Sequence, residues 1–432
     1  MISDTNPVSG GLQPSDIERS GLVPRRFVMR NGRTINVFAD DNIGLVKMDF
    51  IFEAGTALQS KKLQAAAAIH LITEGTQHHT SYEIAEFFDF RGLIVEKSND
   101  EVSSTLTVYG MPRYLDELLP LIKEMILSPT YPQEEFDVFI SKRKQQLMTN
   151  FQRTSFVARK RFYECLYGTS HPLGQYALPE ELDQLTVQDV KEFHDKYLTL
   201  SRMSIVLGGT ITDRDLTIFD DVFGIEPVEN VKKTILPEPS NTITGIQKVE
   251  VKGAVQNTLR VGRRLPFKWN DVNYSRFMIL SAVLGGYFGS RLMSNIREEK
   301  GYTYGINAMT QIYRGSIVFY ITADVAADKA KLALKEILYE LERLCNEPIG
   351  MVEFELVRRC MLGDFMRSVD GVFERSERFC QMLTNNITEL FTDNYMSVLE
   401  SGAVTSENLC SLANRILVPQ ELLIVNAGSI SY

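Results

Sequence analysis

Apolar and polar residues alternate along two stretches near the start of the chain and predict β-strands there. Residues 26–40 read RFVMRNGRTINVFAD, in which Asn31-Gly32 separates two alternating runs, a pattern typical of a β-hairpin. Residues 45–53 (LVKMDFIFE) alternate again, and a helix is predicted over residues 62–72. Thr80, with Glu83 three residues later, forms a capping-box pattern that predicts the start of another helix.

The same order of predicted elements occurs in both halves of the chain. A strand leads into a helix, prolines follow, and a further helix begins: residues 103–109, 112–127 and 134–151 in the first half, and residues 316–323, 328–345 and 352 onward in the second. When PQEEFDVFISKR and IGMVEFELVRRC are aligned with an offset of 218 residues, Phe136 matches Phe354. This recurrence indicates an internal duplication of about half the chain.

The mixed order of strands and helices predicts an α+β fold with two homologous domains, each a mainly antiparallel sheet covered by helices on one face. The predicted boundaries are a flexible N-terminal arm (1–26), an N-terminal domain (27–225), a linker (226–245) and a C-terminal domain (246–432). The linker is placed by its three prolines and its lack of sustained periodicity.

Composition excludes several classes of protein. The 432 residues are 44% apolar and 23% charged, which rules out a disordered or fibrous chain, and the net charge of −9 gives no general reason to expect nucleic-acid binding. The longest apolar stretch, residues 277–288, includes two glycines and falls short of a membrane span. The N-terminal residues lack the apolar core of a secretory signal. We therefore expect a cytoplasmic protein that does not bind membranes, or a periplasmic one if a leader was removed.

Cysteine usage predicts neither a disulfide framework nor a thiolate zinc site. The five cysteines are scattered and contain no C-x-x-C pair, so a reducing compartment is the simpler interpretation. Cys165, with His171 and His194 further along, has no recognisable catalytic context, and no G-x-S-x-G motif is present.

The histidines do not form a recognisable metal motif. Zinc ligands on a helix usually lie four residues apart, but Ala66 stands four residues before His70, and no residue from 65 to 69 can bind a metal or act as a base. His70 would pair with His78 or His79 only if the intervening loop folded back. The simpler interpretation is a helical histidine bonded to a neighbour and two exposed turn histidines.

Two other features have both structural and functional interpretations. The glycines of LGGYFGS (Gly285, Gly286 and Gly289) follow an apolar helix and favour a tight turn or hinge over a phosphate-binding loop. From residue 138 to residue 163 there is no Asp or Glu but there are seven Lys and Arg residues. Such a run is usually a solvated helix face; alternatively it forms a basic wall that attracts acidic partners or peptide carboxylates.

Three stretches of the chain resemble the pitrilysin/insulinase-like zinc metallopeptidases, which carry an inverted H-x-x-E-H motif. They are residues 50–76 (FIFEAGTALQSKKLQAAAAIHLITEGT), residues 167–212 (YGTSHPLGQYALPEELDQLTVQDVKEFHDKYLTLSRMSIVLGGTIT) and residues 284–306 (LGGYFGSRLMSNIREEKGYTYGI). The resemblance extends from about residue 26 to the C-terminus. It implies two homologous α+β domains, and two such units facing each other like a clam shell around a peptide chamber.

The resemblance also implies that the metal site is degenerate. With Gly75-Thr76 aligned to the family's Gly-Thr, the first ligand position falls on Ala66, the general base on Ile69 and the second ligand on His70. The third ligand, a glutamate in the family, falls within residues 144–147, which read KQQL. Two of the three ligands and the base are missing, so this chain is expected to hold no metal or other cofactor.

The C-terminal half retains a different part of the family's site. Members hold the substrate backbone and polarise the scissile carbonyl with an Arg and a Tyr seven residues apart, which match Arg297 and Tyr304 here. Without the resemblance, an Arg paired with Glu298 or Glu299 and a Tyr in a strand would be the simpler interpretation. The family binds peptides as an added strand on a sheet edge, and Gly285, Gly286 and Gly289 would lie near the substrate or the hinge.

In the bacterial two-chain members, one chain carries H-x-x-E-H and its partner carries the Arg/Tyr pair. The resemblance thus predicts a catalytically incomplete subunit, inactive alone, that forms a heterodimer with a zinc-binding homologue, binds peptides and supplies Arg297 and Tyr304. The alternative is a structural or peptide-binding pseudoprotease acting as a homodimer or scaffold subunit. A third possibility is an autonomous zinc enzyme that uses His70, His78 and His79.

Overall fold

A computed structural model describes residues 22–239, 242–388, 390–400, 402 and 404–429. Most of the predicted N-terminal arm (residues 1–21 of 1–26) lies outside the described residues. Contacts divide the rest of the chain into two compact units. Of the described residues, the first unit contains those within 22–243 and 370–386, and the second contains those within 244–369 and 387–429.

The first unit is built on a six-stranded sheet with the order β1-β2-β6-β3-β5-β4. Its strands are β1 (Arg25–Val28), β2 (Thr34–Ala39), β3 (Val46–Phe52), β4 (Ile94–Asn99), β5 (Ser104–Gly110) and β6 (Met203–Gly209). β1 and β2 form the predicted hairpin, where Gly32 takes a φ of +82° that favours glycine. β2 and β6 are parallel, and the other pairs are antiparallel.

Helices cover one face of this sheet and form the main hydrophobic core with it. They are α1 (Gln64–His70), α2 (Ser81–Phe90), α3 (Leu115–Leu127), α4 (Gln133–Phe151), α6 (Val187–Tyr197) and α7 (Asp213–Phe223). Helix α5 (Thr154–Tyr167) instead packs against α4. The core side chains from β3 are Met48, Phe50 and Phe52, all fully buried. The capping box predicted at Thr80 and Glu83 is confirmed at the start of α2.

The second unit contains a five-stranded sheet with the order β7-β11-β8-β10-β9. Its strands are β7 (Gly245–Glu250), β8 (Gln256–Leu265), β9 (Thr303–Tyr313), β10 (Ser316–Ala326) and β11 (Leu423–Gly428). The later helices of the chain are α8 (Val272–Gly285), α9 (Ala330–Asn346), α10 (Met351–Arg367), α11 (Val372–Asn385), α12 (Leu390–Leu399) and α13 (Ser406–Ile416). All of them except α11 belong to this unit.

The two sheets share one topology. The order β2-β6-β3-β5-β4 in the first unit corresponds to β7-β11-β8-β10-β9 in the second, and in both sheets the first pair is parallel and the others are antiparallel. The predicted α+β class and the duplication are therefore confirmed. The strand β1 is an addition to the first sheet.

Helix α11 lies on the face of the first sheet opposite to the other helices, which the sequence did not predict. Val372 and Cys380 of α11 pack in a small core with Phe38, Ile51 and Val206. A Cβ atom on Gly208 would lie 2.9 Å from Ser376 Oγ, so glycine allows the helix to approach β6 closely. Sequence-based boundaries place residues 246–432 in one domain, whereas residues 370–386 pack with the N-terminal sheet.

A buried group of charges joins α11 to this sheet. Lys47 Nζ lies 3.1 Å from Asp49 Oδ2 and 2.8 Å from Glu377 Oε2, and the Lys47 and Asp49 side chains are only 3% and 4% exposed. Thr107 Oγ1 donates to Asp49 Oδ1 at 2.7 Å. Burial lowers the pKa of Lys47, but Asp49 and Glu377 outweigh that effect and hold the pKa above its usual value. Lys47 is therefore charged and paired beneath the helix.

Candidate functional site

Helix α1 presents the degenerate motif positions, and it is packed as a core helix. Ala66 and Ile69 are buried, at 6% and 0% exposure, and only His70 at the end of the helix is partly accessible. Tyr131, itself buried, donates from its hydroxyl to the carbonyl of Ala68 at 3.0 Å. The face of α1 that carries metal ligands in the resembled family is apolar here except at His70.

A cavity of about 370 Å³ opens beside His70. It is lined by His70, Leu71, Glu74, Lys97, Glu135, Val138, Phe139, Lys142, Arg143 and Gln146. The α4 residues among these recur every three or four positions, so they share one face of that helix. A second cavity, of about 200 Å³, is lined in part by Ala66 and Asn99 and again by Arg143. Arg143 thus lies against the region between Ala66 and His70.

Nearby cations and burial act together on His70. Burial lowers the pKa of His70 to about 4, with smaller contributions from the positive charges of Arg143 and Lys97. At neutral pH the ring is therefore uncharged. Its centroid lies 6.1 Å from that of the Phe139 ring. Burial likewise lowers the pKa of Arg143, whose guanidinium stacks 5.1 Å from Phe139 and donates to Gln146 at 3.0 Å.

The other histidines have structural partners. His79 Nδ1 lies 3.0 Å from Glu124 Oε2, and the backbone NH of His78 donates to the same carboxylate. His171 accepts from the backbone NH of Leu173. His194 is buried and bonded to the carbonyl of Ile126. The rings of His79, His171 and His194 are thus used in a turn, a cap or a packing contact, and His78 contributes its backbone NH.

The residues around α1 do not fit a zinc ion. Within the described part of the chain, no group of three or more His, Cys, Asp and Glu side chains could hold a metal ion. Ala66 and Ile69 cannot coordinate or act as a base, and the cation of Arg143 lies where it would repel one. No catalytic step can therefore be derived from a metal held by this helix.

Arg297 and Tyr304 are placed by a short π-helical segment (Met293–Glu299) and by the start of β9. Asn295 of this segment donates to Glu340 of α9 at 2.6 Å, and Lys300 pairs with Glu336 at 3.3 Å. These contacts attach the segment to α9 and so hold Arg297 in place.

The two side chains remain accessible. The Arg297 guanidinium lies 4.6 Å from the centroid of the exposed Phe288 ring, and its Nε is 3.6 Å from Glu298. Tyr304 is 95% exposed, and its hydroxyl has no hydrogen-bond partner among the described residues. This arrangement leaves both groups able to donate to a ligand outside the chain.

The glycines after α8 differ in their surroundings. A Cβ on Gly285 would lie 2.6 Å from the backbone nitrogen of Ala308 in β9, so this glycine permits close packing of helix on strand. A Cβ on Gly286 would approach Ala282 of the preceding turn at 2.6 Å. At Gly289 the nearest atom is in the Tyr287 ring, at 3.0 Å, and a side chain can move. A substrate-binding role for these residues stays a prediction.

Gly285→Ala is expected to destabilise the protein by about 1–3 kcal/mol, because the added methyl group must displace backbone atoms of β9. Gly289→Ala is expected to change stability by less than about 0.5 kcal/mol, because only a side chain must yield. Urea denaturation of both variants measures the difference. Equal stabilities would contradict the packing role assigned to Gly285.

The basic run of residues 138–163 divides into two kinds of side chain. Lys144 pairs with Asp183, and Lys160 with Glu164, as expected of solvated helix faces. Lys142 and Arg143 instead line the cavity beside His70. The absence of acidic residues from this run thus indicated Lys142 and Arg143. Nothing in the sequence indicated Lys97, which lines the same cavity from β4.

Within the described residues, no helix is both long and apolar enough to cross a membrane. The described residues thus form a two-domain α+β protein with a duplicated sheet topology, in which the only side chain of α1 able to bind a metal ion is His70.

Residues 184–361 match the model of the peptidase M16 inactive domain. An uncharacterised zinc protease of Rickettsia felis is 22% identical over 354 residues, covering 81% of this chain and 84% of that protein. The non-peptidase homologue YmxG of Helicobacter pylori is 24% identical over 286 residues, 64% of this chain and 65% of that protein. The crystal structure of a peptidase M16 inactive domain from Pseudomonas fluorescens superimposes with a TM-score of 0.81 at 20% identity, covering 94% of this chain and 98% of that one.

Residues 184–361 are therefore similar to a peptidase M16 inactive domain, and the predicted resemblance of the chain to the pitrilysin/insulinase-like metallopeptidases is confirmed.

Proposed function

We propose that this protein is the subunit without zinc of a two-chain metallopeptidase. It would pair with an H-x-x-E-H homologue, bind peptide and supply Arg297 and Tyr304 to a composite active site. The observation that carries this proposal is the contrast between the two units. The face of α1 is closed by Ala66, Ile69 and Arg143, whereas in the second unit Tyr304 is almost fully exposed and the Arg297 guanidinium lies against the exposed Phe288 ring.

The chemistry required of these two residues is electrostatic. When the oxygen of a scissile carbonyl gains negative charge, a fixed cation and a phenol can both donate hydrogen bonds to it. The partner's zinc would supply the activated water, and Arg297 and Tyr304 would orient the peptide and stabilise the developing charge. The prediction of zinc in the partner belongs to this proposal.

Mixing the two purified chains tests the proposed function. Hydrolysis of a fluorogenic peptide is expected to be absent with this chain alone and to appear when the H-x-x-E-H homologue of the same genome, ideally from the adjacent reading frame, is added. Changing the motif glutamate of that homologue to glutamine should abolish the activity, since the general base then lies outside this chain. Hydrolysis by this chain alone, or none by the mixture, would contradict the proposal.

A peptide-binding pseudoprotease, acting as a homodimer or scaffold subunit, remains the alternative. It is favoured by the edge strand β4, which pairs with β5 and has no other strand partner among the described residues. An open edge can accept a peptide as an added strand without cleaving it. A homodimer in sedimentation experiments, together with a mixture that shows no activity, would favour this alternative.

A further inference from the structure

The cavity beside His70 has an unusual charge distribution for a degenerate metal site. Lys97, Lys142 and Arg143 provide three positive charges, while Glu74 and Glu135 provide two negative ones. Both carboxylates have partners inside the protein. Glu74 accepts from Thr73 at 2.9 Å and lies 3.6 Å from Lys97, and Glu135 accepts from Ser81 at 3.1 Å.

The carboxylates do not neutralise all three cations of the cavity. Neither Lys142 nor Arg143 forms an ion pair with a carboxylate of the described residues. A guanidinium has five N–H donors in a planar fork, and Arg143 is seen to donate to Gln146. Arg143 is half-buried at the cavity, and its remaining N–H donors make an anion there a favourable partner.

The cavity therefore has more positive than negative side chains in its lining, and its two carboxylates are already used in contacts within the protein.

We propose that this cavity binds a peptide carboxylate, with Arg143 as its main ligand and Lys142 beside it. Guanidinium and carboxylate match in geometry and form paired, charge-assisted hydrogen bonds. Leu71, Val138 and Phe139 give the cavity an apolar wall for an adjoining side chain, and its volume of about 370 Å³ lies within the usual range of ligand pockets. The carboxylate is the C-terminus of a peptide or an acidic side chain.

A peptide is favoured over a small anion by the position of the cavity. Lys97 belongs to the edge strand β4, so a peptide aligned with that edge would reach the cavity directly. The inference rests on the peptide binding of the proposed function, but it does not require a partner subunit or catalysis. A former metal site would thus retain a role in substrate binding after losing its chemistry.

Calorimetric titration of the isolated chain with three peptides tests the inference. The probes are acetyl-Ala-Ala-Leu with a free C-terminus, its C-terminal amide, and acetyl-Ala-Ala-Asp amide. The free acid or the aspartyl peptide is expected to bind at least about tenfold more tightly than the neutral amide, and whichever binds identifies the source of the carboxylate. Equal binding of all three, or no binding at millimolar concentration, would overturn the inference.

Matched variants locate the site. Arg143→Gln is expected to weaken binding of the preferred peptide by about tenfold or more, because the charged fork is lost. Lys144→Gln removes a cation from the next position of α4, which pairs with Asp183 and does not line the cavity, so affinity should change less than about twofold. Circular dichroism checks that both variants fold. Equal affinities of wild type and Arg143→Gln, or phosphate binding as tightly as the peptide, would overturn the inference.

These measurements separate this site from the composite one. Failure of the mixing experiment would leave the peptide titrations with the isolated chain unaffected, so the two proposals can fail separately.

Discussion

Replacing Tyr304 by phenylalanine is expected to lower kcat/KM of the mixed two-chain preparation by about 100-fold, because loss of one donor to a developing oxyanion has effects of this size in acyl-transfer enzymes. The stability of the isolated chain should not change, because Tyr304 is 95% exposed and its hydroxyl has no hydrogen-bond partner within the described residues. Steady-state peptide hydrolysis and thermal unfolding of the same preparations provide the two measurements.

The matched control is Tyr339→Phe. Tyr339 is half exposed on α9 of the same unit, and loss of its hydroxyl should leave the rate unchanged within about a factor of two.

Arg297→Ala should lower kcat/KM as strongly as Tyr304→Phe, and Arg297→Lys should restore only part of the activity because it keeps the charge without the planar fork of N–H donors. If Tyr304→Phe and Arg297→Ala retain full activity in the mixture, the composite site is excluded and the pseudoprotease alternative is favoured.

The fold was predictable because its signals are local. The Asn31-Gly32 hairpin and the capping box at Thr80 depend on residues a few positions apart, and each is present where the pattern predicted it. The duplication was readable from the order of elements, since both halves repeat a strand followed by helices.

The position of α11 was not predictable because nothing local encodes it. The alternation in LVKMDFIFE is typical of a strand with one polar face towards water, yet Lys47 and Asp49 on that face are buried. The helix that covers them comes from more than 300 residues later in the chain. The alternating pattern thus shows which face of the strand is polar, but not whether solvent or a distant segment covers that face.

The candidate site was likewise predictable from the sequence only in part. Absent ligands can be read from the sequence, because Ala66 and Ile69 cannot coordinate whatever their surroundings. The chemistry that replaces them depends on three elements meeting in space: α1 with His70, α4 with Arg143 and β4 with Lys97. In the sequence, only the run without acidic residues around Arg143 indicated that cations would lie at this site.

Lys47→Met is expected to destabilise the protein by about 3–5 kcal/mol, which makes it the most damaging single change to stability considered for this chain. Methionine has a similar length, so the cost comes chiefly from leaving the carboxylate of Asp49 buried without a cation. The loss should lower the melting temperature of the N-terminal unit by about 10 °C. Differential scanning calorimetry, together with urea denaturation, measures both quantities.

Two further variants distinguish the free-energy cost of leaving a buried charge unpaired from the cost of losing any ion pair. Arg214→Met breaks an exposed pair with Asp116 in the same unit and should cost less than about 1 kcal/mol.

The double variant Lys47→Met with Asp49→Leu removes both buried charges and should recover much of the lost stability, since Glu377 is more than half exposed and can remain hydrated. If the double variant is as unstable as Lys47→Met, the pair itself rather than the orphaned carboxylate stabilises α11 on the sheet. If Lys47→Met costs no more than Arg214→Met, the charges beneath α11 contribute little to its docking, and the packing of Phe379 on Phe38 must hold the helix instead.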